Sequence, residues 1–188
     1  MFHLRLPERE IQQWATRYSY PDDGEIEKRV APAARKHGYL TRSDFLKICR
    51  WKTPRSAPLC AMNDDRFVRE VTTVSLRSRN EQFKIEVLLL LRGVGWPTAS
   101  VILHWCDQGQ YPILDYRALW SLGAEVPSQY DFAFWTDYCS FMRDVAARTG
   151  LSMRVIDRAL WQYSKERQGR QTRVRPQPGE DAARSKRG

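Results

Sequence analysis

Apolar residues recur at the spacing of one helix face along almost the whole chain, and no segment alternates as a half-buried strand does. This pattern predicts an all-α fold. Capping residues, prolines and glycines divide the pattern into segments, with Asn63, Asn80 and Ser152 among the predicted caps. The predicted helices cover residues 8–18, 25–37 with a kink near Pro32, 41–51, 63–76, 80–91, 97–107, 115–122, 131–149 and 152–168, and a loop is predicted at 51–58.

The chain is strongly basic. Lys and Arg number 31 against 22 Asp and Glu, a net charge of +9, and more than half of this excess lies in residues 165–188. An excess of this size favours a polyanionic partner, above all nucleic acid. Residues 169–188 hold almost no aliphatic side chain and are rich in Arg, Gln and Pro, which predicts a flexible basic tail.

The sequence also disfavours secreted, membrane and metal-binding proteins. The amino-terminal residues form no secretory signal, and the longest aliphatic run, Val87 to Leu91, is far shorter than the roughly 20 residues of a membrane span. We therefore expect a cytoplasmic protein without a membrane partner, associated with the nucleoid if its source is bacterial. The four cysteines contain no Cys-x-x-Cys pair and the three histidines are scattered, so no metal site is predicted.

Two glycines one residue apart interrupt the most apolar part of the sequence. Gly93 and Gly95 follow an apolar helix, and Pro97 stands where the first turn of a second helix begins. Glycine permits a tight reversal and lets a phosphate approach the backbone, where the first N–H groups of a helix have no intrahelical acceptor. The stretch predicts a helix-hairpin-helix that can hold a DNA phosphate. An αα-hairpin without a ligand fits the same residues.

The residues downstream favour the first interpretation. The hairpin residues Gly93–Gly95 are followed by Thr98-Ala99 and then by Pro112 and Asp115, an acid at the start of a predicted helix. Over Leu88 to Gly123 this order and spacing resembles the helix-hairpin-helix DNA glycosylases, whose pattern is Leu-Pro-Gly-Val-Gly-x-x-Thr-Ala followed by a Pro-x-x-Asp segment. The resemblance implies two interlocked helical lobes with a DNA cleft between them. It also implies that Asp115 is the catalytic residue.

The chain departs from the family pattern at several positions. Arg92 replaces the usual hairpin proline and adds a cation beside the phosphate site. Pro97 stands where bifunctional members carry the Schiff-base lysine, and because proline cannot form an imine, the resemblance implies no β-lyase activity of the usual kind. Tyr116 and Arg117 replace the commoner pair after the acid, and no cysteine cluster follows the last helix as in the iron–sulfur branch.

A carboxylate at position 115 suits the chemistry of base release. The sugar gains oxocarbenium character as the base leaves, and a nearby carboxylate stabilises that charge and orients or deprotonates the attacking water. The structural alternative is that Asp115 only caps its helix. The two roles can coexist.

Base flipping requires surfaces on which the extruded base can stack. Trp96 and Tyr116 adjoin the hairpin and the acid, and Trp51 opens a loop that also carries Lys52 and Arg55. These three aromatic residues form the predicted base pocket, although most aromatic residues at helical spacing belong to a core. The predicted DNA contacts are Arg92, Gly93, Val94, Gly95, Thr98, Lys52 and Arg55.

Together with the resemblance, these patterns predict a helical glycosylase-like domain at 1–168, with the hairpin at 84–107 and the catalytic-loop segment at 108–123. The predicted function is that of a monofunctional DNA glycosylase, which hydrolyses the N-glycosidic bond of a damaged or modified base. The missing lysine and the many tryptophans favour an alkylated base. The alternative is a non-catalytic helix-hairpin-helix module that binds DNA. We expect a monomer that binds DNA and uses no cofactor, with at most a monovalent cation at the hairpin.

Overall fold

The computed structural model describes residues 2–20, 23–107 and 109–169. Within these ranges the chain forms helices and connecting loops but no β-strand, which confirms the predicted all-α fold. The α-helices α1 to α10 are Ile11–Thr16, Ala31–His37, Arg42–Lys52, Ala57–Cys60, Asp65–Arg77, Glu81–Glu86, Trp96–Cys106, Tyr116–Ser121, Phe132–Thr149 and Met153–Arg167. Short 3₁₀ turns occupy Glu8–Glu10, Pro54–Ser56 and Val87–Leu90, and a π-helical turn occupies Ile26–Val30.

Side-chain caps and left-handed glycines set many of the helix ends. The Thr41 side chain accepts a hydrogen bond from the backbone N–H of Asp44 at the start of α3, and Ser152 caps α10 in the same way. Gly38 ends α2 and Gly150 ends α9 with φ angles of 77° and 68°, a conformation that favours glycine. These ends agree with the boundaries expected from the sequence.

Other boundaries differ from the expectation. Asp64, and not Asn63, caps α5, since its carboxylate accepts the backbone N–H of Phe67 at 2.8 Å. The predicted loop at 51–58 contains a 3₁₀ turn and the start of α4, because Pro54 and Pro58 lie in first turns, where a missing N–H costs nothing. The predicted helix at 80–91 is shorter, and α6 continues as the 3₁₀ turn at Val87–Leu90.

The packing brings distant parts of the chain to the carboxyl-terminal helix and the hairpin. Helix α10 packs against α1 and α8, and α3 packs against α7. The largest fully buried side chains include Phe45, Ile102, Leu103, Leu114, Trp135 and Tyr138. This arrangement places the end of α3, the start of α8 and the middle of α10 around one cavity.

Two further expectations concern the organisation of the chain. Apart from Gly169, the predicted basic tail at 169–188 lies outside the described residues, and the predicted domain boundaries stay predictions. No helix in the part of the chain that the structure describes is long and apolar enough to cross a membrane.

Candidate active site

The hairpin turn is held by contacts from the preceding helices. Gly93 has a φ angle of 79°, and a Cβ atom there would lie 2.8 Å from both the backbone nitrogen and the Sγ atom of Cys60. The buried Asn63 side chain grips the same turn, because its Nδ2 donates to the Arg92 carbonyl at 3.0 Å and its Oδ1 accepts the Arg92 N–H at 2.9 Å. Asn63 therefore fixes the hairpin loop, a role that its sequence position did not indicate.

The second glycine leaves an open backbone at the start of α7. A Cβ atom on Gly95 would find its nearest neighbour, the Pro97 Cδ atom, at 3.8 Å. The N–H groups of Thr98 and Ala99 both donate to the Gly95 carbonyl at 2.9 Å, so these two amides of the first turn are already paired. Gly95 and Trp96 lie at the start of this first hydrogen-bonded turn, at the end of a helix that attracts anions.

The predicted phosphate-binding residues are thus unequal in exposure. Arg92 and Gly95 are exposed, whereas the Val94 and Thr98 residues are 8% and 2% exposed. Val94 and Thr98 can therefore contribute to DNA binding mainly through their backbone atoms. Arg55 lies exposed in the 3₁₀ turn after α3.

Three helices fix the extended segment that carries the predicted catalytic acid. The Leu114 N–H donates to Ser100 Oγ of α7 at 2.8 Å. The Ile113 N–H donates to Asp157 Oδ1 of α10 at 3.2 Å, and the Ile113 carbonyl accepts the Tyr138 hydroxyl of α9 at 2.9 Å. Because these backbone groups are paired, the segment delivers the next residue to a defined position.

The two carboxylate oxygens of Asp115 accept hydrogen bonds from different partners. Oδ1 accepts the Arg117 N–H at 2.9 Å and caps α8, and Oδ2 accepts the Lys52 ammonium at 2.7 Å. The Asp115 and Lys52 side chains are 20% and 8% exposed. Burial alone would raise the pKa of Asp115. The Lys52 ammonium and the Arg117 N–H lower it by more than burial raises it, so the pKa lies below its usual value. The carboxylate is therefore ionised at neutral pH.

A pocket that is open to solvent borders this ion pair. Its aromatic side chains come from three separate parts of the chain. The Tyr20 ring centroid lies 5.1 Å from that of Trp51 and 5.1 Å from that of Trp161, and its hydroxyl donates to the Trp51 carbonyl at 2.7 Å. The lining residues, which we call the aromatic pocket, are Tyr18, Tyr20, Trp51, Lys52, Ile113, Asp115, Ala118, Arg154, Asp157 and Trp161.

Helix α10 supplies a second pair of opposite charges to the aromatic pocket. Arg154 donates to Asp23 and, at 3.3 Å, to the Tyr18 hydroxyl, and its guanidinium lies over the Trp105 ring at 4.9 Å. The Asp157 side chain is 5% exposed and lies 3.5 Å from Arg154 Nη1. Burial raises the pKa of Asp157 to about 7, although Arg154 opposes this shift. The pocket therefore contains one ionised carboxylate and one carboxyl that titrates near neutral pH.

The histidine nearest this cluster is structural. His104 Nδ1 lies 2.7 Å from the Tyr111 carbonyl, which only accepts hydrogen bonds, so Nδ1 carries the proton. Burial lowers the pKa of His104 to about 3, so the ring is neutral. Among the described residues, no group of three or more His, Cys, Asp or Glu side chains could hold a metal ion.

The predicted base pocket and the observed pocket overlap in one aromatic residue. Trp51 lines the aromatic pocket, but Trp96 packs partly buried against the core. Tyr116 is 50% exposed, and the Arg117 guanidinium lies 5.1 Å from its ring centroid. Neither Trp96 nor Tyr116 is among the residues that line the pocket. Lys52, predicted to contact DNA, also lines this pocket.

Sequence reasoning missed most of the pocket wall. Arg154, Asp157 and Trp161 follow one another at helical spacing on one face of α10, and this spacing is the signal that could have grouped them. Tyr18 and Tyr20 lie after α1, where no periodic pattern marks them. Charged residues at helical spacing are usually solvated, so their burial here depends on the packing of α10 against α1 and α8.

Comparisons with known proteins add a likeness of fold. No protein-family profile matches the chain, and no curated protein is significantly similar to it. Among solved structures, it is similar to the Methanocaldococcus jannaschii 8-oxoguanine glycosylase/lyase in complex with a 15mer DNA containing 8-oxoguanine. The two share 17% sequence identity with a TM-score of 0.46, over 85% of this chain and 81% of that chain. A structural similarity this weak carries no functional argument.

Proposed function

We propose that the protein is a DNA glycosylase, with Asp115 as its catalytic carboxylate. The observation that supports this proposal most directly is an ionised carboxylate on the wall of an aromatic pocket. The segment that delivers it is hydrogen-bonded to α7, the helix that follows the Gly-Val-Gly turn. A carboxylate beside a stacking surface and near a potential phosphate site is the combination that release of a flipped base requires.

The proposed reaction assigns different work to the two oxygens of Asp115. Oδ1 stays engaged with the Arg117 N–H and keeps the carboxylate in place. Oδ2 stabilises the positive charge that develops on the sugar as the C1′–N bond breaks, and it orients the attacking water. The Lys52 ammonium keeps this oxygen ionised before the substrate arrives.

Binding of the DNA backbone is assigned to the exposed side of the hairpin. The open backbone at Gly95 and Trp96 would meet a phosphate, with the exposed Arg92 close by in the chain. The exposed Arg55, in the turn after α3, would contact the DNA backbone separately. The basic residues at 169–188 would add non-specific attraction that weakens with salt. We propose a monomer without a cofactor, with a monovalent cation at the hairpin as the only ion.

The identity of the released base is suggested in part by the aromatic side chains of the pocket. Four of them offer stacking surfaces, which supports the predicted alkylated base. Lys52 and Arg154 also line the pocket, but each is paired with a carboxylate, so their charges do not select between neutral and cationic alkylated bases. The predicted absence of lyase activity rests on Pro97 alone.

Base release measured by mass spectrometry tests the proposal. Wild type and Asp115→Asn are incubated with methylated, deaminated, oxidised and phage-modified DNA. Wild type should release one class of base, and the variant should be slower by about 10²–10³-fold, the usual cost of losing one transition-state contact. Asparagine also caps helices, so the fold and the DNA affinity should persist. If wild type binds DNA but releases no base, the non-catalytic binding module becomes the better assignment.

A further inference from the structure

A lysine lies inside the aromatic pocket, and its position there is unusual for this residue type. Lys52 is the last residue of α3, and its side chain is 8% exposed. Lysine is almost never fully buried in proteins unless it is paired. Its Nζ atom donates to Asp115 Oδ2 at 2.7 Å, so the primary amine and the proposed catalytic carboxylate are in direct contact.

The end of α3 lies beside the start of the second hairpin helix. Thr53 follows Lys52 directly, and its Oγ1 atom is 3.4 Å from Oγ1 of Thr98 in the first turn of α7. Pro97, the neighbour of Thr98, occupies the position at which the bifunctional glycosylases that the sequence resembles carry their lysine. An amine from α3 therefore reaches the region that a lysine on the hairpin would serve.

We propose that Lys52 supplies, from α3, the amine nucleophile that the hairpin lacks, and that the protein is an abasic-site β-lyase as well as a glycosylase. This inference rests on the proposed function and deepens it, since both activities use one site and one carboxylate. It replaces the expectation, based on Pro97, that no lyase activity exists.

The contact between Lys52 and Asp115 permits the proton transfers that imine formation requires. The Lys52 ammonium gives a proton to Asp115 Oδ2, and the neutral amine attacks C1′ of the ring-opened abasic sugar, forming the Nζ–C1′ bond. A second nitrogen proton moves to the former aldehyde oxygen, which takes the proton held by Asp115 and leaves as water. This step produces a protonated imine and restores the carboxylate.

Strand cleavage then follows from the same groups. The Asp115 carboxylate removes a C2′ proton, the electron pair of that C–H bond forms a C1′–C2′ double bond, and the C=N pair returns to nitrogen to give an enamine. Collapse of the enamine restores the protonated imine and forms a C2′–C3′ double bond, while the C3′–O bond breaks with its electron pair on the phosphate. Asp115 gives the C2′ proton to this phosphate. Water then hydrolyses the conjugated protonated imine, and its two protons return Lys52 to an ammonium.

Borohydride trapping on DNA that contains a preformed abasic site tests the proposal without knowledge of the base. Wild type should give a covalent protein–DNA adduct, and peptide mapping by mass spectrometry should locate it on Lys52. Lys52→Arg keeps a cation beside Asp115 but is not an amine, so the adduct should be lost while the folded state persists in thermal melting. Lys84→Arg is the matched control, since Lys84 is also buried beside an aspartate, arginine keeps the cation there, and the residue lies outside the pocket.

Each outcome bears on one of the two proposals. An adduct on Lys52 that persists in Lys84→Arg and disappears in Lys52→Arg supports the lyase. No adduct from wild type that binds abasic DNA, or an adduct on another amine, overturns it. Base release without trapping leaves the glycosylase standing and removes the lyase. Trapping on Lys52 without release of any base keeps the lyase and removes the glycosylase.

Discussion

Two lysine–aspartate pairs are buried in the described part of the chain, and their local geometry is closely similar. The Nζ–Oδ2 distance is 2.7 Å in Lys52–Asp115 and 2.5 Å in Lys84–Asp107. In both pairs the remaining carboxylate oxygen accepts a backbone N–H from the residue two positions further along the chain. The ion pair itself therefore cannot distinguish a catalytic site from a structural one.

The surroundings of the two pairs differ. Lys52 and Asp115 both border one pocket with four aromatic side chains. The groove that Lys84 and Asp107 share has no aromatic lining, although Asp107 also borders a second groove with Trp105 and Tyr111. The Asp115 side chain is 20% exposed and that of Asp107 is 9% exposed, so a substrate reaches the first carboxylate more easily. The comparison teaches that buried charge becomes chemically useful where it meets an accessible surface that can hold the substrate.

Matched asparagine substitutions give the largest expected difference. Asp115→Asn should lower kcat/KM for base release by about 10²–10³-fold, because it removes the charge beside the sugar. Asp107→Asn should change it by no more than about threefold, a change in the range of noise for a residue that touches no reacting atom. Single-turnover base release on the substrate found in the panel provides both values. Equal losses in the two variants would show that Asp115 acts only through the fold.

Replacement of each lysine should have the opposite ranking: the loss of stability should be larger at the Lys84–Asp107 pair than at the Lys52–Asp115 pair. Lys84→Met leaves Asp107 as a buried charge without its partner and should lower the free energy of unfolding by about 3–5 kcal/mol. Lys52→Met leaves the more accessible Asp115, which water can reach, and should cost about 1–3 kcal/mol. Urea denaturation at pH 7 measures both changes. A larger loss for Lys52→Met would mean that the pair at the aromatic pocket is mainly structural.

The two glycines of the hairpin should separate stability from binding. Gly93→Ala places a Cβ atom 2.8 Å from the Cys60 nitrogen at a φ angle of 79°, and such strain should cost about 1–3 kcal/mol. Gly95→Ala meets no atom closer than 3.8 Å and should change stability by only a few tenths of a kcal/mol. It should instead weaken DNA binding by roughly tenfold, about 1.4 kcal/mol. Thermal unfolding and salt-controlled DNA titration measure the two effects, and a stable Gly93→Ala protein would contradict this account of the turn.

Local sequence patterns predict many helix ends well, including the start of a helix after Gly95 and the cap at Asp115, since each depends on neighbouring residues. The cap at Thr41 and the left-handed Gly38 follow from backbone chemistry alone. Lys52 was assigned to a DNA contact because it lies in a predicted polar loop that mixes basic and aromatic residues. Its burial depends on α3 packing against α7, a contact between residues far apart in the sequence.

The wall of the aromatic pocket, like the burial of Lys52, depends on packing between distant parts of the chain. Arg154 and Trp161 share one face of α10, but only the packing of that helix against α1 and α8 turns the face inward. Trp96 and Tyr116 were chosen because they adjoin the hairpin and the acid in sequence. Proximity in sequence is a poor guide here, because α7 and α8 direct successive side chains to different sides.

A further prediction concerns pH and the second carboxyl, Asp157, which also sets the aromatic pocket apart. The pKa of Asp157 is about 7, well above its ordinary value near 3.8. The folded protein therefore retains a proton that the unfolded chain loses, so this group lowers stability as pH rises from about 4 to 7. Asp157→Asn removes the titration and can still accept the Ile113 N–H. As the pH rises from 5 to 8, wild type loses stability and the variant does not. The Tm of the variant should therefore rise relative to that of wild type by about 2–4 °C for each kcal/mol of unfolding free energy that wild type loses. A constant difference in Tm across this range would show that Asp157 stays ionised and that Arg154 outweighs its burial.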